Sequence, residues 1–108
     1  MILVTTETIP GHDITQAIGV VQGNTVRTKH IGRDIGATFK TIVGGEIKGY
    51  TDMLNEARAE AMERLRSNAM AAGANAVVNV RFTTADVVGA GAEILAYGTG
   101  VVAVSRDA

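Results

Sequence analysis

The sequence predicts an α+β domain in which two helices pack on one side of a small sheet. Three observations carry that prediction. Two consecutive runs, Ile31 to Ile42 and Thr51 to Ala72, place apolar residues at helical spacing. Extended segments rich in Val and Thr stand before and after this helical pair. Glycines sit where each helix should stop, Gly44-Gly45 after the first and Gly73 after the second. A chain of 108 residues has room for one domain, spanning 1–108.

The elements follow in order. Ile2-Leu3-Val4-Thr5-Thr6 reads as a short opening strand, and Pro10-Gly11 as the turn after it. Ala17 to Thr28 reads as a second extended segment, interrupted at Gly23-Asn24 by a hairpin turn or a bulge. A bulge is favoured, because each half alone makes a very short strand. In the first helix Ile31, Ile35, Phe39 and Ile42 share one face, while Gly32 and Gly36 beside them allow close backbone approach. In the second, Thr51 is the expected N-cap, with Asp52 and Glu56 near the positive end of the dipole. Leu54, Ala57, Ala61, Leu65 and Ala72 fall in one arc of roughly 80°, with Asp52, Glu56, Glu60 and Glu63 opposite.

Two strands complete the chain. Over Ala76 to Thr83, Val78, Val80 and Phe82 alternate with Asn79, Arg81 and Thr83, one apolar face against one polar face. Ile94 to Val104 is apolar or small on both faces, Leu95, Tyr97, Thr99, Val101 and Ala103 forming the second. A single sheet with helices on one side has no use for that second face, so it is expected to meet another subunit.

Composition narrows function mainly by exclusion. Ten basic residues against eleven acidic give a formal charge of −1, which argues against a nucleic-acid-coating protein. Phe39, Tyr50, Phe82 and Tyr97 are the only aromatics, too few for a base-stacking platform. The absence of cysteine excludes disulfides, a thiolate metal site and a cysteine nucleophile. The N-terminus lacks the basic region and long apolar run of a signal peptide. Val87 to Val104 is almost long enough to span a bilayer, but its four glycines and clustered valines read as a buried strand. A cytoplasmic protein without membrane contact is expected.

Candidate chemistry is sparse. His12 and His30 have no second imidazole or thiolate at metal-ligand spacing and read as surface residues of connections. The Asp52, Glu56, Glu60, Glu63 stripe reads as a solvated helix face, since one face does not converge on a cation; Glu60 and Arg64 form a favourable i, i+4 pair. Arg58 lies within the apolar arc and therefore needs a partner, with Asp34, Glu46 and Glu93 the candidates. The reading is a structural ion pair or, alternatively, recognition of an anion. The linker Gly44-Gly45-Glu46-Ile47-Lys48-Gly49-Tyr50 joins a flexible backbone to a carboxylate, an amine and a phenol. Glu46, Tyr50 and Arg58 are thus the candidate ligand-binding residues. No phosphate loop, nucleophile elbow or HExxH motif occurs, and no enzyme is expected.

An ordered set of segments carries a resemblance over essentially the whole chain. It comprises the opening Ile-Leu-Val-Thr-Thr, Gly19-Val20-Val21-x-Gly23, Gly44-Gly45-Glu46-Ile47, Tyr50-Thr51, Glu56-Ala57-Arg58-x-Glu60-Ala61, Gly73-Ala74-Asn75-Ala76-Val77-Val78-x-Val80-Arg81-Phe82, and Tyr97-Gly98-Thr99-Gly100-Val101. In these the chain resembles the YbjQ-like family. That resemblance implies a dodecin-subunit-like fold, two helices on a small antiparallel sheet, assembling into a pentameric ring. The family carries a heavy-metal-binding label and is otherwise uncharacterised. Soft metals favour thiolate and imidazole, and no ligand set here matches, so the metal site and any cofactor stay unknown. Two readings stand: a homo-oligomeric structural or interaction module, or a binding protein holding a divalent metal or small anion between subunits.

Overall fold

The computed structural model describes residues 1–28, 48–87 and 91–107. Four strands, β1 (Ile2–Leu3), β2 (His12–Thr28), β3 (Ala76–Val87) and β4 (Gly91–Ser105), form one sheet in the order β1-β3-β4-β2. One helix, α1 (Lys48–Ala71), lies against it, mainly over β2 and β4. The β2–β4 pair dominates. Its 17-residue strand spans roughly 58 Å at 3.4 Å per residue and runs antiparallel to β4 from His12↔Ser105 to Thr28↔Gly91.

Two expectations are corrected. The sheet is mixed rather than antiparallel, because β1 pairs parallel with β3 through Ile2↔Ala76 and Leu3↔Val77. The described residues hold one helix on a four-strand sheet, not the two helices expected; the periodic run Ile31 to Ile42 lies outside them.

Ala17 to Thr28 belongs to one long strand, and Gly23↔Ala96 sits in unbroken register. The irregularities fall instead between Ile14 and Gln16 and between Ala17 and Gly19. The glycine at 23 serves a different need. A Cβ there would lie 2.5 Å from the Ala61 carbonyl oxygen and 2.6 Å from the Arg64 carbonyl carbon. Helix and strand backbones meet directly at this point.

The helix starts by Lys48, so Thr51 lies inside it and is not the N-cap. Its apolar arc is close to expectation: Ala57, Ala61, Leu65 and Ala69 are fully buried and Leu54 partly so, while Ala72 is exposed. The C-terminus closes as Gly73 predicts. With Gly73 at φ +96°, its N–H donates to the Met70 carbonyl (3.0 Å) and that of Ala74 to the Ala69 carbonyl (3.0 Å). This is a Schellman arrangement, reserved in practice for residues that tolerate the left-handed region.

β3 departs from simple alternation at Asn79, which takes φ +54°. The register slips there, Val78↔Thr99 being followed by Arg81↔Tyr97. The extra residue throws Val77 and Val80 onto the helix side and leaves Val78 on the other. Val78, Val80 and Phe82 therefore do not share one buried face, and Phe82 is 44% exposed.

Two apolar clusters result. The larger, between helix and sheet, holds Val21, Leu65, Val77, Val80, Ile94 and Ala96 with the helix alanines. The smaller lies on the opposite face, where Ile9, with Val4 beside it, covers Ala76, Val78, Val101 and Ala103. The N-terminal segment acts as a strap across this face. It is held by Val4 N–H to the Val77 carbonyl (2.9 Å), Val80 N–H to the Val4 carbonyl (3.0 Å) and Asn79 N–H to the Thr6 carbonyl (3.0 Å). Its end is the predicted turn: Gly11 has φ +76° and the His12 N–H reaches the Ile9 carbonyl at 3.1 Å. The second face of β4 is thus half covered by its own chain. Among the described residues no helix is long and apolar enough to cross a membrane.

Candidate functional site

Of the three residues singled out from the sequence, Tyr50 and Arg58 lie on α1. Glu46 lies outside the described residues. Tyr50 falls in the first described turn of α1, and Arg58 follows two turns later, roughly 12 Å farther along the axis. Arg58 is exposed, and its Nη1 donates to Asn55 Oδ1 at 3.1 Å, one turn back on the same helix. Among the described residues this local hydrogen bond is the contact that Arg58 makes. Of its candidate partners, Asp34 lies outside the described residues with Glu46. Glu93 pairs in register with Val26 and Ala85 on the sheet face away from the helix, where Oε2 accepts from Asn24 Nδ2 at 3.0 Å. The helix buries alanines against a glycine, so the arc that must be apolar is narrow. A long side chain at its margin reaches water.

The acidic stripe is a solvated face, as expected. Glu60 pairs with Arg64 at 2.5 Å and Glu63 with Arg66 at 3.3 Å. Arg64 does more than balance charge. Its Nη1 also donates to the Asn24 carbonyl of β2 at 2.6 Å, and Asn68 Nδ2 donates to the Gln22 carbonyl at 2.7 Å. These side chains tie the helix to the outer strand beside the Gly23 contact.

A groove of about 330 Å³ opens where β2 begins and β4 ends, lined by Thr8, Pro10, His12, Asp13, Ile14 and Arg106. His12 is half-buried, and its Nδ1 lies 3.0 Å from the Pro10 carbonyl. A carbonyl only accepts, so Nδ1 carries the hydrogen and the lone pair of the neutral ring sits on Nε2. Across the rim Arg106 Nε holds Asp13 Oδ1 at 2.9 Å, with both side chains more than half exposed. The two charges cancel within the groove, leaving it no net preference for a cation or an anion. Sequence reasoning missed this pairing; Asp13 and Arg106 meet only through the β2–β4 register. His30 lies outside the described residues.

A family model described as "Putative heavy-metal-binding" matches residues 1–104. A UPF0145 protein of Photobacterium profundum is 57% identical over 101 residues, which cover 94% of this chain and 98% of that one. Those of Thermotoga maritima (54%, 94% and 95% covered) and Archaeoglobus fulgidus (55%, 94% and 94%) are similar to the same extent. Among solved structures, a protein of unknown function from Pediococcus pentosaceus, of the DUF74 family, superposes with a TM-score of 0.55. It covers 98% of each chain at 18% identity, a likeness of fold alone.

The heavy-metal description can be tested against the donors present. The chain has no cysteine. Among the described residues no group of three or more His, Asp or Glu side chains converges. A soft metal ion wants several thiolate or imidazole ligands at once. The described residues of a single subunit do not fit such a centre.

Proposed function

The chain belongs to the YbjQ-like family of UPF0145 proteins, and from that membership we propose that it is a cytoplasmic, non-enzymatic subunit of a homo-oligomer. Its role on this reading is structural or interactional, and the resemblance makes the assembly a pentameric ring.

Exposed apolar side chains carry the reading. Among the described residues nine large apolar side chains lie open, Val20 at 80% and Val26 at 51% exposure among them. Monomers seldom leave β-branched residues so open on a sheet.

Native mass spectrometry of untagged protein, with and without added Zn²⁺, Cu²⁺ and Cd²⁺, tests the reading. The expected result is a single assembly at five times the subunit mass that sheds added metal on buffer exchange. A species at the subunit mass overturns the oligomeric reading. One metal retained per subunit moves the assignment to the alternative, a binding protein with sites between subunits.

A further inference from the structure

The groove where β2 begins and β4 ends contains an ion pair that the fold does little to require. Arg106 and Asp13 stand 93 positions apart in sequence and meet at 2.9 Å. Both side chains are more than half exposed, so the bond adds little to stability. Each member is also only partly engaged. Among the described residues the Arg106 guanidinium uses Nε alone, leaving both Nη groups, and Asp13 uses Oδ1, leaving Oδ2.

Backbone bonds hold these groups in place. The Arg106 N–H donates to the Gly11 carbonyl (2.9 Å) and the His12 N–H to the Ile9 carbonyl (3.1 Å). The turn before β2 and the residue after β4 therefore fix each other. His12 Nδ1–H donates to the Pro10 carbonyl at 3.0 Å, which leaves the lone pair of the neutral ring on Nε2. Pro10 and Ile14, both exposed, add apolar surface, and a volume of about 330 Å³ lies at the small end of ligand pockets. Groups held in position before a ligand arrives reduce the ordering that binding requires.

We propose that this groove binds a small zwitterion, an α-amino acid with an apolar side chain. A simple anion drawn to Arg106 meets Asp13 beside it, and a simple cation drawn to Asp13 meets Arg106. A molecule with both charges finds an opposite charge for each. Its carboxylate takes the two Nη groups, a pairing that the guanidinium fork favours. Its ammonium donates to Asp13 Oδ2 and to His12 Nε2, and its side chain rests on Pro10 and Ile14. This site lies within one subunit and stands independently of the oligomeric reading.

Saturation-transfer NMR on the full chain tests the proposal with L-leucine, with isocaproate, which lacks the ammonium, and with isoamylamine, which lacks the carboxylate. L-Leucine should bind with a dissociation constant on the order of 1 mM, the range open to so few heavy atoms. Each single-charge probe should bind at least about 10-fold more weakly. Arg106→Gln and Asp13→Asn keep the shape and remove one charge. Each should weaken L-leucine by about 10-fold or more, with far-UV circular dichroism unchanged. Arg66→Gln, on α1 and paired with Glu63, should bind as the parent does. Absence of transfer to L-leucine overturns the proposal, as does equal binding of all the probes. Unchanged L-leucine binding in Arg106→Gln and Asp13→Asn overturns it as well. The probe comparison decides by itself should a variant fail to fold.

Discussion

Adding one methyl group at Gly23 should separate the helix from the sheet. The new Cβ would fall 2.5 Å from the Ala61 oxygen and 2.6 Å from the Arg64 carbonyl carbon, with the Leu65 nitrogen also in its way. All three are backbone atoms, so no side chain can swing aside, and relief requires the whole helix to lift by roughly 1 Å. A gap of that size forfeits about a quarter to a half of each dispersion contact along the seam. The seam contains Ala57, Ala61, Leu65 and Ala69, all fully buried. Overpacking costs typically 1–3 kcal/mol. With rigid obstacles Gly23→Ala should fall at or above the top of that range, about 3 kcal/mol. For a domain of this size that lowers the melting temperature by roughly 15 °C. Urea unfolding followed by circular dichroism at 222 nm reads the loss, at matched protomer concentration, because assembly raises apparent stability. Gly11→Ala is the contrast: its φ is +76° but a Cβ meets nothing within 4 Å, so it should cost only about 1–2 kcal/mol of backbone strain. A Gly23→Ala protein within about 0.5 kcal/mol of the parent would refute the close approach of the two backbones.

Further substitutions probe the other corrected features. Leu65→Ala, at the centre of the larger cluster, should destabilise by about 2–5 kcal/mol in the same urea titration. Asn79→Gly should be near neutral and Asn79→Val costly by about 1–3 kcal/mol, because a β-branched side chain resists a positive φ; equal stability of the two would place Asn79 elsewhere. Arg58→Ala should cost no more than about 0.5 kcal/mol, the scale of an exposed interaction within one helix. A loss of about 3 kcal/mol, as from a broken buried pair, would show that Arg58 has a partner other than Asn55. Asp13→Ala should change stability by less than about 1 kcal/mol, because its bond to Arg106 faces solvent, and raising salt should erase even that difference.

What was legible in the sequence was what neighbouring residues decide. The buried stripe of α1, the Gly73 stop and the Pro10-Gly11 turn each depend on a few adjacent side chains, and each is where the pattern put it, except that Ala69 replaces Ala72. What failed depends on distant pairing. The bulges in β2 are set by its match to β4 and not by Gly23-Asn24, whose glycine answers instead to the helix. The parallel β1–β3 pairing joins Ile2 to Ala76, and no local pattern announces it. Alternation in β3 misled because one residue, Asn79, reverses the faces after it. The apolar second face of β4 was readable as surplus, but half of it belongs to Ile9 and Val4, which residue types alone could not reveal. Of the candidate site, Glu46 lies outside the described residues. Arg58 was judged by its angle on an ideal helix, whereas its exposure depends on how close α1 comes to the sheet.

The strand order also sets a timetable. Among the described residues the first long strand, β2, has a single sheet neighbour, β4, and His12 pairs with Ser105. A ribosome adding about 5–20 residues per second finishes β2 roughly 4–15 s before it reaches the last residue of β4. Through that interval the nascent chain carries 17 residues of Val- and Thr-rich strand without β4. Pairing that must wait for the far end of the chain is slow and leaves the early strand open to other nascent copies. The helix side chains that bond to the Gln22 and Asn24 carbonyls are made well before β4. They would give the waiting strand its first shelter.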